Sequence, residues 1–232
     1  MLKEFIHNQD EAKIAILGTI FADGHLIKAR HTSSKDRLSY INKTSMEITH
    51  TVKNLDYLRE LKELIELIDS VKCSIKEHNK RGKEKSYTLF RLSTTSCQYF
   101  KEVRDVIYKE GIKTFPKEFI DKFSDLSLFL LYLDDGTLRM RFYEGTTKIR
   151  EKRVTFCLDS FTYEELRYFQ TFLKRKYNID SHMYRHTKTL PINRGFRVWM
   201  NSENTVKFMT IIDKFYDCIP SMKYKFTKYY LS

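Results

Sequence analysis

Ala15–Gly24 reads AILGTIFADG and Ser127–Gly136 reads SLFLLYLDDG. Each is an apolar run of helical length closing on Asp-Gly, and the closures lie 135 − 23 = 112 residues apart. The same offset, 225 − 113 = 112, separates Lys113 in Gly111-Ile-Lys-Thr-Phe-Pro116 from Lys225 in Met222-Lys-Tyr-Lys-Phe226. Landmarks recurring at one spacing mark a duplication. Outward from the first Asp-Gly, Leu26–His31 and Met46–Thr51 alternate as strands do, and Asn54–Ile68 carries apolar residues at helical spacing. Two alternating segments, Val71–His78 and Tyr87–Ser93, precede a helical stretch at Cys97–Tyr108. Beyond the second Asp-Gly the order repeats: strands at Leu138–Tyr143 and Val154–Leu158, a helix at Tyr163–Tyr177, strands at Ser181–His186 and Phe196–Met200, and a helix at Ser202–Tyr216. Both halves read αββαββα. The expected fold is α+β, a pseudo-twofold tandem repeat divided into residues 1–112 and 113–232.

Composition narrows what such a repeat can be. The 232 residues include 42 Lys+Arg against 30 Asp+Glu, for a net charge of +12. Residues 1–112 hold 20 basic against 16 acidic, and 113–232 hold 22 against 14, so the excess belongs to both halves. A basic folded body points first to nucleic acid. Seven Gly and three Pro exclude a collagen-like or low-complexity chain. The longest strongly apolar stretch, Leu126–Leu133, is far short of a membrane span, and Met1–Asp10 has no apolar leader core. The cysteines, at 73, 97, 157 and 218, have no metal-site spacing and read as reduced thiols of an intracellular protein. The polar stretches Glu77–Ser86, with Gly82, and Tyr143–Lys152 read as hairpin loops.

Gly24 and Gly136 read as left-handed residues just past helices. The preceding Asp23 and Asp135 need another reason. A carboxylate there faces the negative end of the helix dipole, at about 0.3–1 kcal/mol, and Asp134 adds to it. Repeating that choice at two matching sites implies cations nearby. Mg2+ is the natural candidate, being held by one or two carboxylates together with phosphate oxygens and water. Ala15, Gly18, Thr19 and Ala22 form a small-residue stripe that lets another helix approach closely. If the two duplicated helices pack together, both Asp-Gly ends emerge side by side, as two-metal phosphodiester chemistry requires.

These segments resemble the two copies of the motif that names the LAGLIDADG homing endonucleases. The spacing and length are similar to the single-chain members, and the Lys113 and Lys225 segments resemble those of the intron-encoded subgroup. Phe21 stands where the motif has its first Asp, and Leu130 and Leu131 replace small residues in the second copy. The resemblance implies a monomer with two antiparallel sheets forming a DNA-binding saddle around the motif helices. It implies Asp23 and Asp135 as metal ligands, and Lys113 and Lys225 as catalytic cations lowering the pKa of water or neutralising phosphate charge. Mg2+ is the implied cofactor, with Mn2+ substituting. The implied reaction is a double-strand break at a long specific site, leaving short 3′ overhangs.

Basic residues two apart on a strand share a face, so the strands read as a DNA-contacting surface. Lys28 and Arg30 form one row, and Lys72 and Lys76, with Ser74 between, form another. Arg139 and Arg141 match Lys28 and Arg30 in the second half. His182, Tyr184, His186 and Lys188 make a longer row, and Arg197 pairs with Trp199. Two alternatives keep the fold: an RNA maturase assisting its own intron, and a DNA-binding regulator without cleavage. A basic ribosome-associated protein would not need the 112-residue register.

Overall fold

The structure is a computed structural model and describes residues 1–28, 43–68, 70–81, 86–187 and 189–226. The first motif segment forms α1 (Gln9–Ala15) and α2 (Leu17–Phe21). Asn8 starts this stretch by accepting from the amides of Asp10 and Glu11, the usual way of satisfying free N-terminal donors. The segment bends at Ile16 without losing its hydrogen bonds: the Ile16 amide donates to Ala12 and the Ile20 amide to Ile16. Strands β1 (His25–Lys28) and β2 (Thr44–Thr51) follow, then α3 (Leu55–Ile65), β3 (Cys73–Arg81), β4 (Ser86–Thr94) and α4 (Gln98–Ile107). A two-stranded hairpin, β5 (Tyr108–Lys109) and β6 (Ile112–Lys113), spans the expected division at residue 112. After the short α5 (Lys117–Ile120), the second half gives α6 (Asp125–Asp135), β7 (Gly136–Phe142), β8 (Ile149–Phe156), α7 (Tyr163–Tyr177), β9 (His182–Arg185), β10 (Phe196–Trp199) and α8 (Ser202–Ile212). Two 3-10 helices, Asp213–Cys218 and Pro220–Lys225, close the described chain.

The two four-stranded sheets are antiparallel and share one topology, β1-β2-β4-β3 and β7-β8-β10-β9. The expected αββαββα order is present in each half. Two boundaries differ by four residues or more. Strand β8 begins at Ile149 rather than Val154, because paired, polar Arg150–Arg153 carry no apolar alternation to betray a strand. The last helix ends at Ile212 and tightens into the Asp213–Cys218 segment instead of running to Tyr216. The turn containing Gly82 lies outside the described residues, between β3 and β4.

One core joins both halves. Helix α6 is apolar all round, burying every residue from Leu126 to Leu133, as a helix enclosed by other elements must. It packs on α2 at the small-residue stripe. A Cβ on Gly18 would lie 2.0 Å from the Ser127 carbonyl oxygen and 2.9 Å from the Leu131 amide nitrogen, so the two backbones touch there. The Ser127 hydroxyl donates to the Ile14 carbonyl at 2.8 Å across the same contact. Phe21 is buried against the Phe115 ring, with centroids 4.7 Å apart, and near Phe119, Phe123 and Phe161. A carboxylate at position 21 would lie within this aromatic cluster, where burial without a partner is costly.

Candidate functional site

The two Asp-Gly ends are built alike, with a lysine under each. Lys113 reaches from β6 and donates to the carbonyls of Ile20, Ala22 and Gly24 at 2.8, 3.0 and 2.8 Å. Lys225 reaches from the Pro220–Lys225 helix to Tyr132, Asp134 and Gly136 at 3.3, 3.5 and 2.8 Å. These are the same three carbonyls shifted by 112 residues. A helix C-terminus leaves unpaired carbonyls and a partial negative charge, and each ammonium meets both. The cation expected at each helix end is thus, in the first instance, a lysine. Burial pushes Lys113 down to about 8, opposed by Asp135, Asp23 and Asp134, and lowers Lys225 in the same way.

The glycines serve a different purpose from the one expected. Gly136 has extended backbone, φ −87° and ψ 148°, and Gly24 is not among the residues of positive φ. Space is the constraint. A Cβ at Gly24 would sit 2.7 Å from the Thr19 carbonyl, and one at Gly136 would sit 2.1 Å from the Tyr132 ring.

Lys113→Met removes three donors from a half-enclosed set of carbonyls and is expected to cost about 2–4 kcal/mol, measured by urea denaturation. Lys225→Met should cost less, because two of its three contacts are long.

The carboxylates converge where the helices end. Asp23 is exposed and Asp135 partly buried. Burial, then the charges of Asp23 and Asp134, raises Asp135 to about 7, against the pull of Lys113 and Lys225. Asp134 faces into the protein with no side-chain exposure, 3.4 Å from the His50 ring. Burial raises it first, with the Asp23 charge adding. Both Asp134 oxygens and His50 Nε2 lack a hydrogen-bond partner among the described residues, so the site leaves buried hydrogen-bonding capacity unmet beside the His50–Asp134 pair. A divalent cation fits that deficit. Asp23 and Asp135 flank it from the two helix ends, and ligand atoms of Asp23, His50 and Asp134 all lie within 4.8 Å of one another.

A raised carboxyl gives its stabilisation below its unfolded pKa and loses it as pH rises through the folded value. The metal-free protein should therefore lose stability between about pH 4 and 7 as Asp135 ionises. Mg2+ or Ca2+ should raise the melting temperature by several degrees at pH 7.5 and hardly at all at pH 5. Thermal melts at the two pH values check this.

The strand faces sort the basic residues. Leu26, Met46, Ile48 and Leu92 are buried on the helix-packed face of the first sheet. Lys28 shares that face with Leu26 in β1 and stands 3.7 Å from Asp105 of α4. His25 and Ile27 take the open face. The match of Arg139 and Arg141 to Lys28 and Arg30 is one residue out of register: the 112 offset pairs Lys28 with Met140. Arg139 and Arg141 lie on the open face of β7, opposite Arg153 and Glu151 of β8. Arg30 and Lys188 lie outside the described residues.

Lys76 is on the open face of β3, opposite Arg91, and Lys72 precedes that strand on an exposed turn. In the second sheet His182, Tyr184, Trp199 and Arg197 share the open face, paired His182 with Trp199 and Tyr184 with Arg197. His186 follows β9, its ring 6.2 Å from Tyr184. Arg197 is held by Asp159 at 2.9 Å.

Sequence reasoning missed Arg91, Arg153, Glu47 and His50. Arg91 is 3.4 Å from Glu47 on the open face, and Arg153 lies 4.0 Å above the Trp199 ring. Alternation within β4 and the full length of β8 would have exposed both arginines. His50 carried a signal as well, being the one titratable side chain in register with Met46 and Ile48 on the apolar side of β2.

The LAGLIDADG DNA endonuclease family matches residues 13–208. Cytochrome b mRNA maturase bI2 of Saccharomyces cerevisiae is 26% identical over 222 residues, covering 92% of this chain and 47% of that protein. The chain thus spans about half the length of this curated relative. Among solved structures, the homing endonuclease I-WcaI bound to its DNA recognition sequence superposes with a TM-score of 0.71 at 15% identity, covering 96% of this chain and 89% of the other. I-DmoI in complex with DNA and Mn gives 0.54 at 18% identity, covering 88% and 97%. The paired sheets and central helices match these folds, and among the described residues no helix is long and apolar enough to cross a membrane. With its matched region running through both Asp-Gly helices and the first capping lysine, the chain belongs to the LAGLIDADG DNA endonuclease family.

Proposed function

We propose that the protein is a monomeric, site-specific endonuclease that cuts both strands of a long double-stranded DNA target and leaves short 3′ overhangs. The observation that carries this reading is the pair of matched helix ends, each presenting a carboxylate over a lysine-capped terminus, around a buried carboxylate that no described residue hydrogen-bonds. Asp23 and Asp135 would hold divalent metal, Mg2+ by chemistry, with Mn2+ substituting. When bound, the metal supplies an activated water and neutralises the leaving oxygen of an in-line displacement.

The chain's own residues do the rest. The helix pair fixes the two carboxylates with respect to each other, one for each strand. Lys113 and Lys225 hold both termini in place, and their ammonium charge offsets negative charge developing on phosphate. The open sheet faces, with Lys76, Arg91, Arg139, Arg141, Arg153 and Arg197, would track the duplex as a saddle. Arginine and lysine there can bind phosphate or guanine edges. Binding should fall steeply with salt, by roughly 10³-fold or more between 50 and 200 mM if six or more phosphates are contacted; a filter-binding titration reads the slope.

Incubation with a randomised duplex library in Mg2+ and in Ca2+, followed by sequencing of the ends, tests the reading. Defined breaks in Mg2+ alone are expected, and no breaks in either cation would overturn it. The likeness to a maturase supports a second reading, binding of intron RNA. Splicing of the host intron, with the same preparation added, separates the two activities.

A further inference from the structure

The two halves differ at one place beside the helix ends. The strand registers align His25 and Glu47 with Thr137 and Thr155. Counting on by three, His50 corresponds to Leu158, while Asp134 corresponds to Ala22 at the 112 offset. Each half therefore contributes one polar residue where the other has an apolar one, and the two meet across the pseudo-twofold axis at 3.4 Å. They form a close pair without a hydrogen bond: both Asp134 oxygens and His50 Nε2 are buried with no hydrogen-bond partner among the described residues. A buried carboxylate and imidazole that make no hydrogen bond are expensive, and the cost falls if a cation joins them. The Asp134 side chain, with no exposure, is aimed at the same point as the exposed Asp23 carboxylate.

We infer that Asp23, His50 and Asp134 form a one-sided divalent metal site with no counterpart in the second half, selective for transition ions over Mg2+. Metal–ligand bonds of about 2.1 Å place neighbouring ligand atoms about 3.0–3.4 Å apart. The His50–Asp134 separation already meets that spacing. The ligand atoms of all three residues lie within 4.8 Å, and Asp23, free at the surface, supplies the remaining closure. An imidazole nitrogen beside two carboxylates favours Mn2+ or Zn2+ over Mg2+. The site shares Asp23 with the cleavage reading above but stands on His50 and Asp134, which that reading does not use.

The test is Mn2+ binding to the full chain without DNA, read by electron paramagnetic resonance for bound ion and for nitrogen coupling. One Mn2+ with a histidine nitrogen coupling is expected in the wild-type protein. His50→Leu, which copies Leu158, and the gentler His50→Gln should both lose the nitrogen coupling. Asp134→Ala, which copies Ala22, should weaken binding roughly tenfold or more. Asp135→Asn should keep the nitrogen coupling even where it stops cleavage. No nitrogen coupling in the wild-type protein, or coupling unchanged in a folded His50 variant, overturns the inference. Normal cleavage by Asp135→Asn, with the coupling intact, would sink the cleavage assignment alone.

Discussion

Asp23→Asn and Asp135→Asn should each reduce double-strand cleavage by roughly a thousandfold while leaving specific DNA binding largely intact. Asparagine keeps the shape of each side chain, so α2 and α6 stay packed and the lysine-capped carbonyls keep their donors. What disappears is one full negative charge at the point where both helix termini meet. Binding survives because the basic residues of the open sheet faces lie on other elements, Lys76 on β3, Arg139 on β7 and Arg197 on β10. Supercoiled plasmid carrying the target reads the outcome, with gel shift in Ca2+ reporting binding. If both variants linearised plasmid normally in Mg2+, the two-carboxylate assignment would be wrong. Asp135→Asn has a second readout. Because burial and like charge raise Asp135 to about 7, its replacement should stabilise the metal-free protein at pH 7.5, the opposite sign to its effect on activity.

Gly18→Ala is expected to be severely damaging for a single added methyl, costing about 3–5 kcal/mol. The added Cβ would meet backbone, 2.0 Å from the Ser127 carbonyl and 2.9 Å from the Leu131 amide. Neither a rotamer change nor a side-chain shift relieves that, so α2 and α6 must separate. Separation also strains the Ser127–Ile14 hydrogen bond and moves Asp23 away from Asp135, so cleavage should fall even where the protein remains folded. Gly111→Ala is the control. Gly111 has φ +80° in the β5–β6 turn, but nothing lies within 4 Å of its Cβ position. Its cost is conformational only, about 1 kcal/mol. Urea denaturation of the two variants separates crowding from backbone strain; equal losses would mean that the helix contact is looser than the structure has it.

The fold was legible because duplication made each half a check on the other. The Asp-Gly and Lys landmarks needed only counting, and helix Tyr163–Tyr177 was legible to the residue. Less could be read where a side chain's task is set by a partner far away in the chain. Lys113 and Lys225 look the same in sequence whether they contact phosphate, water or carbonyls. Their carbonyl contacts appear only once the hairpin and the Pro220–Lys225 helix fold back on the motif helices. The face of Lys28 was misjudged for a different reason. Alternation pairs Lys28 with Arg30 without saying which side of the strand meets the helices, and Lys28 lies with Leu26 on the side of α4. His50 was passed over and Asp134 was noticed only as added charge at a helix end, because each belongs to one half only and a search for repeated features gives little weight to what is not repeated.

The late position of one lysine also bears on how the molecule is made. Helix α6 is complete at Asp135, but the residue that closes its end is Lys225, a further 225 − 135 = 90 positions along the chain. At a synthesis rate of about 5–20 residues per second, those carbonyls wait roughly 5–20 s on the ribosome for their ammonium. The first helix end waits for the same 113 − 23 = 90 positions, since Lys113 follows Asp23 by that distance. Duplication has copied the delay along with the site. Each helix end therefore gains its lysine only after the chain has been made 90 positions beyond its carboxylate, and the second end is capped after the first.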